Sequence, residues 1–215
     1  MNRKERLAKF KQIDLYPVTN ESLSNGRSNL DILQAVIAGG AKIIQLRDKN
    51  ISQDDFLELA KKFREITAQS KVLLIINDHL DVALEVKADG VHLGQNDLLA
   101  AAARKSAPEL LIGVSTHNVA EAVKAEQDGA DYVNIGPIFK TQTKDVEPIG
   151  PESIKPIAAK IKIPFTVMGG INFNNIDMVL AQGARHVAVI SAVTQAPDIQ
   201  QAASQLIKKI NNLRL

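Results

Sequence analysis

The run "VLLIIN", residues 72–77, decides the fold class, because five apolar residues follow one another before the first polar side chain. Successive side chains of a strand point to opposite faces, so a strand of this composition is buried on both faces. Strands buried on both faces are typical of a parallel sheet that helices cover. The sequence therefore predicts an α/β fold built of repeated βα units.

The same unit recurs along the chain, each apolar run being followed by a polar turn and a stretch with helical periodicity. The strand candidates are "IDLYPVT", "KIIQLR", "VLLIIN", "GVHLG", "LLIGVS", "YVNIGPI", "PFTVMGG" and "HVAVIS". Eight units predict a single closed (β/α)8 TIM barrel over residues 1–215, with a short N-terminal helical segment at residues 1–12. A doubly wound sheet is the alternative, but its common GxGxxG fingerprint is missing from the sequence.

Glycine and proline mark predicted boundaries of these elements. Four helix candidates end at Gly39–Gly40, Gly90, Gly129 and Gly183, where glycine can adopt the left-handed conformation that closes a helix. Pro17 lacks the backbone N–H that a sheet needs, so we expect a bulge or a strand end there.

Composition limits the possible partners and compartments. The 26 basic and 24 acidic residues give a net charge of +2, which gives no reason to expect nucleic acid or a membrane as partner. The absence of cysteine excludes disulfides, thiolate zinc sites and cysteine nucleophiles. The charged start "MNRKERLAKFKQ" lacks the apolar core of a signal peptide, so we expect a cytoplasmic protein. The sequence leaves a homo-oligomer open.

Functional side chains of such barrels lie at the carboxyl ends of the strands, which together form the barrel mouth. The chain carries Gln45, Arg47, Lys49, Asn77, Asp78, Asp97, Ser115, Thr141, Thr143, Lys144, Gly169, Gly170, Ile190 and Ser191 at the predicted ends. Each has an ordinary explanation on its own, since Asp78 and Asp97 could be helix N-caps and Ser115 could cap the following helix. Together they predict one functional site.

The residue types indicate what this site binds. Asp78 and Asp97 are hard oxygen ligands suited to Mg²⁺, which usually takes one or two carboxylates and completes its shell with water and phosphate oxygens. Arg47, Lys49 and Lys144 would donate charge-assisted hydrogen bonds to an anion. Cations around a carboxylate-held metal favour a diphosphate ligand.

The last two strand ends suggest a second anion site. Loops after strands seven and eight form the common phosphate site of these barrels, where backbone N–H groups point at the anion and glycine lets it approach. Gly170 and the backbone at Ile190–Ser191 occupy these positions. Two phosphorylated ligands in one mouth suggest a reaction that joins them.

The four histidines have no metal-ligand spacing. His92 and His186 are within predicted strands, and we interpret them as structural. His117 follows the fifth strand and is the one histidine placed where it could take part in the chemistry.

The motifs "QLRDK", "IND", "GVHLGQND", "GVSTH", "GPIFKTQTK", "GGI" and "VISA" occur in the order found in thiamine-phosphate synthases, which the chain resembles from about residue 14 to 200. The resemblance implies a Mg²⁺-dependent transferase that joins an aminopyrimidine diphosphate to a thiazole phosphate. The residues it implies for the pyrimidine diphosphate are Gln45, Arg47, Lys49, Asn77, Ser115 and Lys144, of which Arg47, Lys49, Ser115 and Lys144 are the catalytic candidates. It implies Thr141, Thr143, Gly170, Ile190 and Ser191 for the thiazole phosphate, and Asp78 and Asp97 for one Mg²⁺.

Two other functions stay open on the sequence alone. One is a thiazole tautomerase, a related isomerase that uses a histidine near the end of the fifth strand, where His117 stands. The retained cations and carboxylates argue against it, because an isomerase that acts on one phosphate has no use for a second anion site. The other is a non-catalytic barrel that binds thiamine precursors or a partner protein, in which those residues would be idle.

Overall fold

The computed structural model describes residues 1–141, 143 and 146–212 and contains one parallel sheet of eight strands. The strands are β1 Leu15–Pro17, β2 Ile43–Leu46, β3 Leu73–Asn77, β4 Gly90–Leu93, β5 Leu111–Thr116, β6 Tyr132–Ile135, β7 Phe165–Val167 and β8 Val187–Val189. The helices are α1 Arg3–Phe10, α2 Asn29–Ala38, α3 Gln53–Gln69, α4 Leu80–Glu85, α5 Ala100–Ser106, α6 Val119–Gln127, α7 Ile154–Ala158, α8 Ile176–Leu180, α9 Ser191–Thr194 and α10 Ile199–Asn212. Strands and helices alternate as the sequence predicts.

The sheet curves into a barrel. Its strand order is β1-β8-β7-β6-β5-β4-β3-β2, with every pair parallel. The two edges meet where Val18 forms a bridge with Gln45, and the N–H of Thr19 donates to the Gln45 carbonyl at 3.0 Å. β1 ends at Pro17, which confirms the predicted strand end there. The TIM-barrel prediction is confirmed.

Two apolar layers separate on the two faces of the sheet. Inside the barrel, Ile43 and Ile75 belong to a cluster that also contains two tyrosines. Outside it, Ile44, Leu74 and Ile76 pack in the larger layer between the strands and the helices. The alternation follows from the period of two along each strand and explains why "VLLIIN" has no polar face.

The N-terminal helix α1 covers the amino-terminal end of the barrel. Its last residue, Phe10, is fully buried and lies against Tyr132 inside the barrel, with ring centroids 4.2 Å apart. Arg6 pairs with the buried carboxylate of Asp89, which directly precedes β4. With this end covered, the mouth at the carboxyl ends is the face through which a ligand can enter.

Three of the four helix ends predicted at glycines have a glycine in the expected left-handed conformation. Gly40, Gly129 and Gly183 have φ values of 95°, 89° and 91°. The prediction for Gly90 is wrong, because Gly90 is the first residue of β4. A Cβ at Gly90 would lie 2.6 Å from the Leu111 carbonyl oxygen, so close strand contact explains this glycine.

None of the helices in the described part of the chain combines the length and apolar character needed to cross a bilayer.

Candidate active site

The carboxyl ends of the strands converge on one cavity of about 640 Å³ that is open at the barrel mouth. Its lining comes from all eight strand ends. The lining residues are Val18, Gln45, Arg47, Asn77, His92, Ser115, His117, Asn134, Gly136, Pro137, Thr141, Thr143, Met168, Gly169 and Ile190. Gln45, Arg47, Asn77, Ser115, Thr141, Thr143 and Ile190, predicted from the sequence as site residues, therefore lie around one space.

The segment after β2 supplies cations to this mouth. Gln45, within the strand, is buried, and its Nε2 donates to the hydroxyl of Tyr16 at 3.0 Å. Arg47 follows the strand and is half-buried in the cavity wall, where burial lowers the pKa of its guanidinium while Asp78 and Asp48 raise it. Lys49 lies farther along the loop, with Nζ 3.3 Å from Oδ2 of Asp78. Guanidinium and ammonium groups are thus held beside a carboxylate at the mouth.

Asp78 and Asp97 lie close enough for their carboxyl groups to share a hydrogen bond, although they belong to loops after different strands. Burial is the main cause that raises the pKa of Asp78, the neighbouring Asp97 raises it further, and Lys49 lowers it. Two carboxylates this close repel each other, and a divalent cation between them would remove the repulsion. We call Arg47, Lys49, Asp78 and Asp97 the charged rim.

The alternative that these two aspartates are helix caps is wrong. The N-cap residue of α4 is His79 and that of α5 is Leu99, and in neither helix does a side chain accept a capping hydrogen bond. Asp78 has φ of 62°, which is uncommon for a residue other than glycine. Asp97 accepts from the N–H of Gly94 at 2.7 Å and so helps to close its own loop. Asn118, and not Ser115, caps α6.

The charged rim fits Mg²⁺ by its donor chemistry. Carboxylate oxygens are the protein ligands this ion prefers, and it commonly uses one or two of them together with water and phosphate oxygens. Among residues 1–141, 143 and 146–212, no group of three or more His, Asp or Glu side chains is arranged around a common metal position. Asp78 and Asp97 would therefore leave most of the coordination shell to water and to a ligand.

A second and smaller cleft of about 280 Å³ adjoins the main cavity. We call it the glycine cleft, and its lining residues are Thr141, Thr143, Met168, Gly169, Gly170, Ile171, Ala188, Val189, Ile190 and Ser191. The hydroxyls of Thr141 and Thr143 lie 2.9 Å apart. The five residues that the resemblance implies for the thiazole phosphate, Thr141, Thr143, Gly170, Ile190 and Ser191, thus lie together, next to the main cavity.

Two consecutive glycines shape this cleft. Gly169 has φ of 107° and Gly170 has φ of 62°. A Cβ at Gly169 would lie 2.5 Å from the Cα of Pro137, and one at Gly170 would lie 2.4 Å from the carbonyl oxygen of Lys140. The pair is needed both for its backbone conformation and for the close approach of the loop after β6.

The sequence predicts Lys144 as a third cation for the diphosphate. This residue falls outside the described residues, so its role stays a prediction.

His117 lines the cavity, but its ring is held from one side. Nδ1 lies 2.7 Å from Oε2 of Glu121, which also accepts from the His117 backbone N–H at 2.8 Å. Glu121 belongs to the first turn of α6, so the helix fixes the orientation of this ring.

Two polar cavity residues, His92 and Asn134, are missing from the set predicted by sequence. His92, interpreted above as structural, lines the cavity, and its Nε2 lies 3.0 Å from Oγ of Ser115. Asn134 on β6 also lines it, and its Oδ1 accepts from the hydroxyl of Thr166 at 2.8 Å. Both are single polar residues in otherwise apolar strands, "GVHLG" and "YVNIG". Because a buried polar side chain needs a polar partner, this pattern could have identified them from the sequence as candidates for the barrel interior.

The sequence and the fold of this chain both resemble those of known proteins. Residues 15–193 match the model of a family described as thiamine monophosphate synthase. The thiamine-phosphate synthase of Chloroflexus aurantiacus is 46% identical over 194 residues, which cover 89% of this chain and 90% of that protein. The thiamine-phosphate synthase of Caldicellulosiruptor saccharolyticus is 43% identical over 213 residues, which cover 98% of this chain and 95% of that protein. A solved thiamine phosphate pyrophosphorylase from Pyrococcus furiosus is 37% identical, with a TM-score of 0.88 over 94% of this chain and 96% of that one.

The glycine cleft gives a direct stability test. Gly169→Ala should lower the free energy of unfolding by about 1–3 kcal/mol more than Gly183→Ala does, because overpacking is added to the backbone strain. Gly183 is the matched control, since its φ of 91° is similar but nothing lies within 4 Å of the point that a Cβ would occupy. Gly183→Ala should lower the free energy of unfolding only through backbone strain, by about 1–2 kcal/mol. Urea unfolding of both variants measures the difference, and equal losses would contradict the close approach.

Proposed function

The chain belongs to the thiamine monophosphate synthase family, and from that premise we propose how its barrel mouth joins an aminopyrimidine diphosphate to a thiazole phosphate. It is a transferase that forms thiamine phosphate and releases diphosphate, the activity for which its relatives are named. A thiazole that carries a carboxyl group would also release CO₂. The observation that carries the proposal is that the main cavity, whose wall includes Arg47 of the charged rim, shares Thr141, Thr143, Met168, Gly169 and Ile190 with the glycine cleft.

The pyrimidine diphosphate is assigned to the side of the mouth with the charged rim. Arg47 and Lys49 would donate to the diphosphate, as would Lys144, and Ser115 adds a hydroxyl donor from the end of β5. Gln45 and Asn77, on neighbouring strands, would contact the pyrimidine. The half-buried position of Arg47 supports this assignment, because hydrogen bonds to an anion are stronger where water is partly excluded.

We assign one Mg²⁺ to Asp78 and Asp97. When bound, the metal would neutralise charge on the diphosphate and so make it a better leaving group. The support is the pair of adjacent carboxyl groups: Asp97 raises the pKa of Asp78, and a divalent cation between them would favour the charged form of both.

The thiazole phosphate is assigned to the glycine cleft. Thr141 and Thr143 would donate from their hydroxyls, and the backbone at Gly170 and at Ile190–Ser191 would donate from N–H groups. Glycine at 170 lets the loop after β6 close over this cleft, since a Cβ there would lie 2.4 Å from the carbonyl oxygen of Lys140. The shared wall between cleft and cavity would keep the thiazole ring near the pyrimidine.

The reaction requires little proton transfer. The bond between the pyrimidine methylene carbon and the diphosphate oxygen breaks, and its electron pair leaves with the diphosphate. The thiazole nitrogen then uses its lone pair to form the C–N bond to the methylene carbocation. Arg47, Lys49 and Lys144 would stabilise the charge that develops on the departing oxygen, which is often the largest contribution to catalysis. The apolar cavity walls at Val18, Met168 and Ile190 would limit access of water to the cation.

The direct test of this function is a product assay with the purified protein. We expect thiamine phosphate and diphosphate in equal amounts when both substrates and Mg²⁺ are present, and none when either substrate or the metal is omitted. EDTA should stop the reaction and added Mg²⁺ should restore it. Isomerisation of the thiazole phosphate without the pyrimidine would favour the tautomerase, and binding of both substrates without product would favour a non-catalytic barrel.

The two aspartates should affect metal dependence much more than folding. Asp78→Asn and Asp97→Asn are each expected to lower kcat/KM by about a hundredfold or more, with a higher Mg²⁺ requirement, because charge stabilisation of the leaving group is lost. Asp78→Asn should leave the free energy of unfolding of the metal-free protein unchanged or higher. The reason is that a raised carboxyl pKa means that the charged form opposes folding, and asparagine removes that charge.

The matched control is Asp81→Asn, which removes an exposed carboxylate three residues from Asp78. It should change neither the Mg²⁺ requirement nor kcat/KM by more than about twofold, because exposed charges are screened by solvent. Unfolding of Asp78→Asn or Asp97→Asn would show that these carboxylates have a structural role and would contradict the assignment.

The cytoplasmic location, the absence of nucleic-acid and membrane partners, and a homo-oligomeric state stay predictions from the sequence.

A further inference from the structure

A continuous chain of hydrogen bonds crosses the barrel interior beneath the cavity. Nε2 of Gln45 donates to Oη of Tyr16 at 3.0 Å, and Oη of Tyr16 lies 2.9 Å from Oη of Tyr132. Oη of Tyr132 lies 3.2 Å from Nδ1 of His92, whose Nε2 lies 3.0 Å from Oγ of Ser115. The two ends of the chain, Gln45 and Ser115, both line the cavity and are both assigned to the pyrimidine diphosphate.

The middle of this chain is shielded from water. Tyr16 and Tyr132 are 1% and 0% exposed, and His92 is 7% exposed. Burial is the main cause that raises the pKa of both tyrosine hydroxyls, so both keep their protons. Each buried hydroxyl has one proton to donate, and buried polar groups keep their hydrogen bonds because losing one is costly.

A glycine on β5 makes the central link possible. In the sheet register His92 on β4 is the neighbour of Gly113, and Gly113 is the neighbour of Tyr132 on β6. A Cβ at Gly113 would lie 2.1 Å from Cζ of Tyr132 and 2.6 Å from Nδ1 of His92. The absence of a side chain at this position lets the rings from two non-adjacent strands meet across β5.

One proton per hydroxyl gives the chain a direction. With the amide NH₂ of Gln45 donating to Tyr16, the Tyr16 proton points to Tyr132 and the Tyr132 proton points to Nδ1 of His92. Nδ1 then accepts, so neutral His92 carries its proton on Nε2 and donates it to Oγ of Ser115. The Ser115 proton is left to point into the cavity.

The opposite direction would suit the proposed ligand poorly. Ser115 would then donate to His92 and present only oxygen lone pairs to the diphosphate, which is also an acceptor. Gln45 would need its amide reversed, with the carbonyl towards Tyr16 and the NH₂ towards the amino group of the pyrimidine. At the Ser115 end an acceptor would then face an acceptor of the diphosphate, and at the Gln45 end a donor would face the amino group of the pyrimidine, which is also a donor.

We propose that Tyr16, Tyr132 and His92 are positioning residues that orient the two ends of this chain for the pyrimidine diphosphate. They hold the Gln45 carbonyl oxygen as an acceptor for the pyrimidine amino group and the Ser115 hydroxyl as a donor to the diphosphate. The ligand assignment rests on the proposed function, whereas the direction of the chain is a property of the protein alone.

The kinetic test is Tyr132→Phe, which removes the central hydroxyl and keeps the ring that packs against Phe10. Because one hydrogen bond at each end of the ligand is no longer oriented, we expect KM for the pyrimidine diphosphate to rise about tenfold. KM for the thiazole phosphate should stay within about twofold. Tyr16→Phe interrupts the chain nearer Gln45 and should give the same pattern, which keeps the test usable if one variant folds poorly.

The packing control is Phe10→Leu, which alters the same inner cluster without removing a member of the chain. It should lower the free energy of unfolding, but it should not raise KM for the pyrimidine diphosphate more than KM for the thiazole phosphate. If Tyr132→Phe and Tyr16→Phe leave KM for the pyrimidine diphosphate unchanged, or raise both KM values equally, the positioning role is wrong.

The spectroscopic test needs no substrate. In a two-bond ¹H–¹⁵N spectrum at about pH 8, above the usual pKa of histidine, His92 should show a protonated Nε2 and an unprotonated Nδ1. The signal is assigned by its loss in His92→Gln, and Tyr132→Phe should shift it. A proton on Nδ1 of His92 in the wild type would overturn the proposed direction.

The two tests separate the two claims. Failure of the wild type to make thiamine phosphate contradicts the proposed function, while the His92 tautomer still decides the direction of the chain. If the wild type is active but His92 is protonated on Nδ1, the proposed function stands and the proposed direction of the hydrogen-bond chain is wrong.

Discussion

Closure of a fully parallel sheet is the constraint on which the rest of the structure depends. Because every strand runs the same way, the carboxyl ends of all of them meet at one mouth, however far apart they are in sequence. Asp78 and Asp97 become neighbours in this way, and the ends of β2 and β8 come together on either side of β1 at the same cavity. A site for two anions therefore requires only short polar segments at the ends of otherwise apolar strands.

The barrel interior links the two ends of the fold. At the amino-terminal end, α1 covers the barrel and buries Phe10 against Tyr132. Tyr132 in turn belongs to the hydrogen-bond chain that reaches Ser115 at the mouth. Packing at the covered end thus supports side chains that face the cavity at the open end. Rigid support of this kind is what a site needs to hold donors and acceptors in fixed directions.

The fold and most of the mouth could be predicted from the sequence, because both depend on local patterns. Apolar runs such as "VLLIIN" predict strands buried on both faces, and charged residues directly after them predict the charged rim. Chain direction alone brings Arg47, Asp78 and Thr141 to one end of the barrel.

Contacts across the barrel could not be predicted in the same way. Tyr16, Tyr132 and His92 each look like ordinary strand residues, and only the register between strands brings their polar atoms together. The helix end predicted at Gly90 is wrong for the same reason, since its close neighbour is on β5 and lies about twenty residues away in sequence. The caps of α4 and α5 depend on loop geometry, which gives Asp78 and Asp97 partners other than the helix N–H groups.

The central claim is that the charged rim binds a divalent metal and a diphosphate together. Crystals grown with Mn²⁺, as a substitute for Mg²⁺, and inorganic diphosphate test it by anomalous diffraction. We predict one anomalous peak at about 2.1 Å from oxygens of Asp78, Asp97 and the diphosphate, with Arg47 and Lys49 in contact with the same anion. A peak elsewhere, or an ordered diphosphate with no metal between these two carboxylates, would contradict the account.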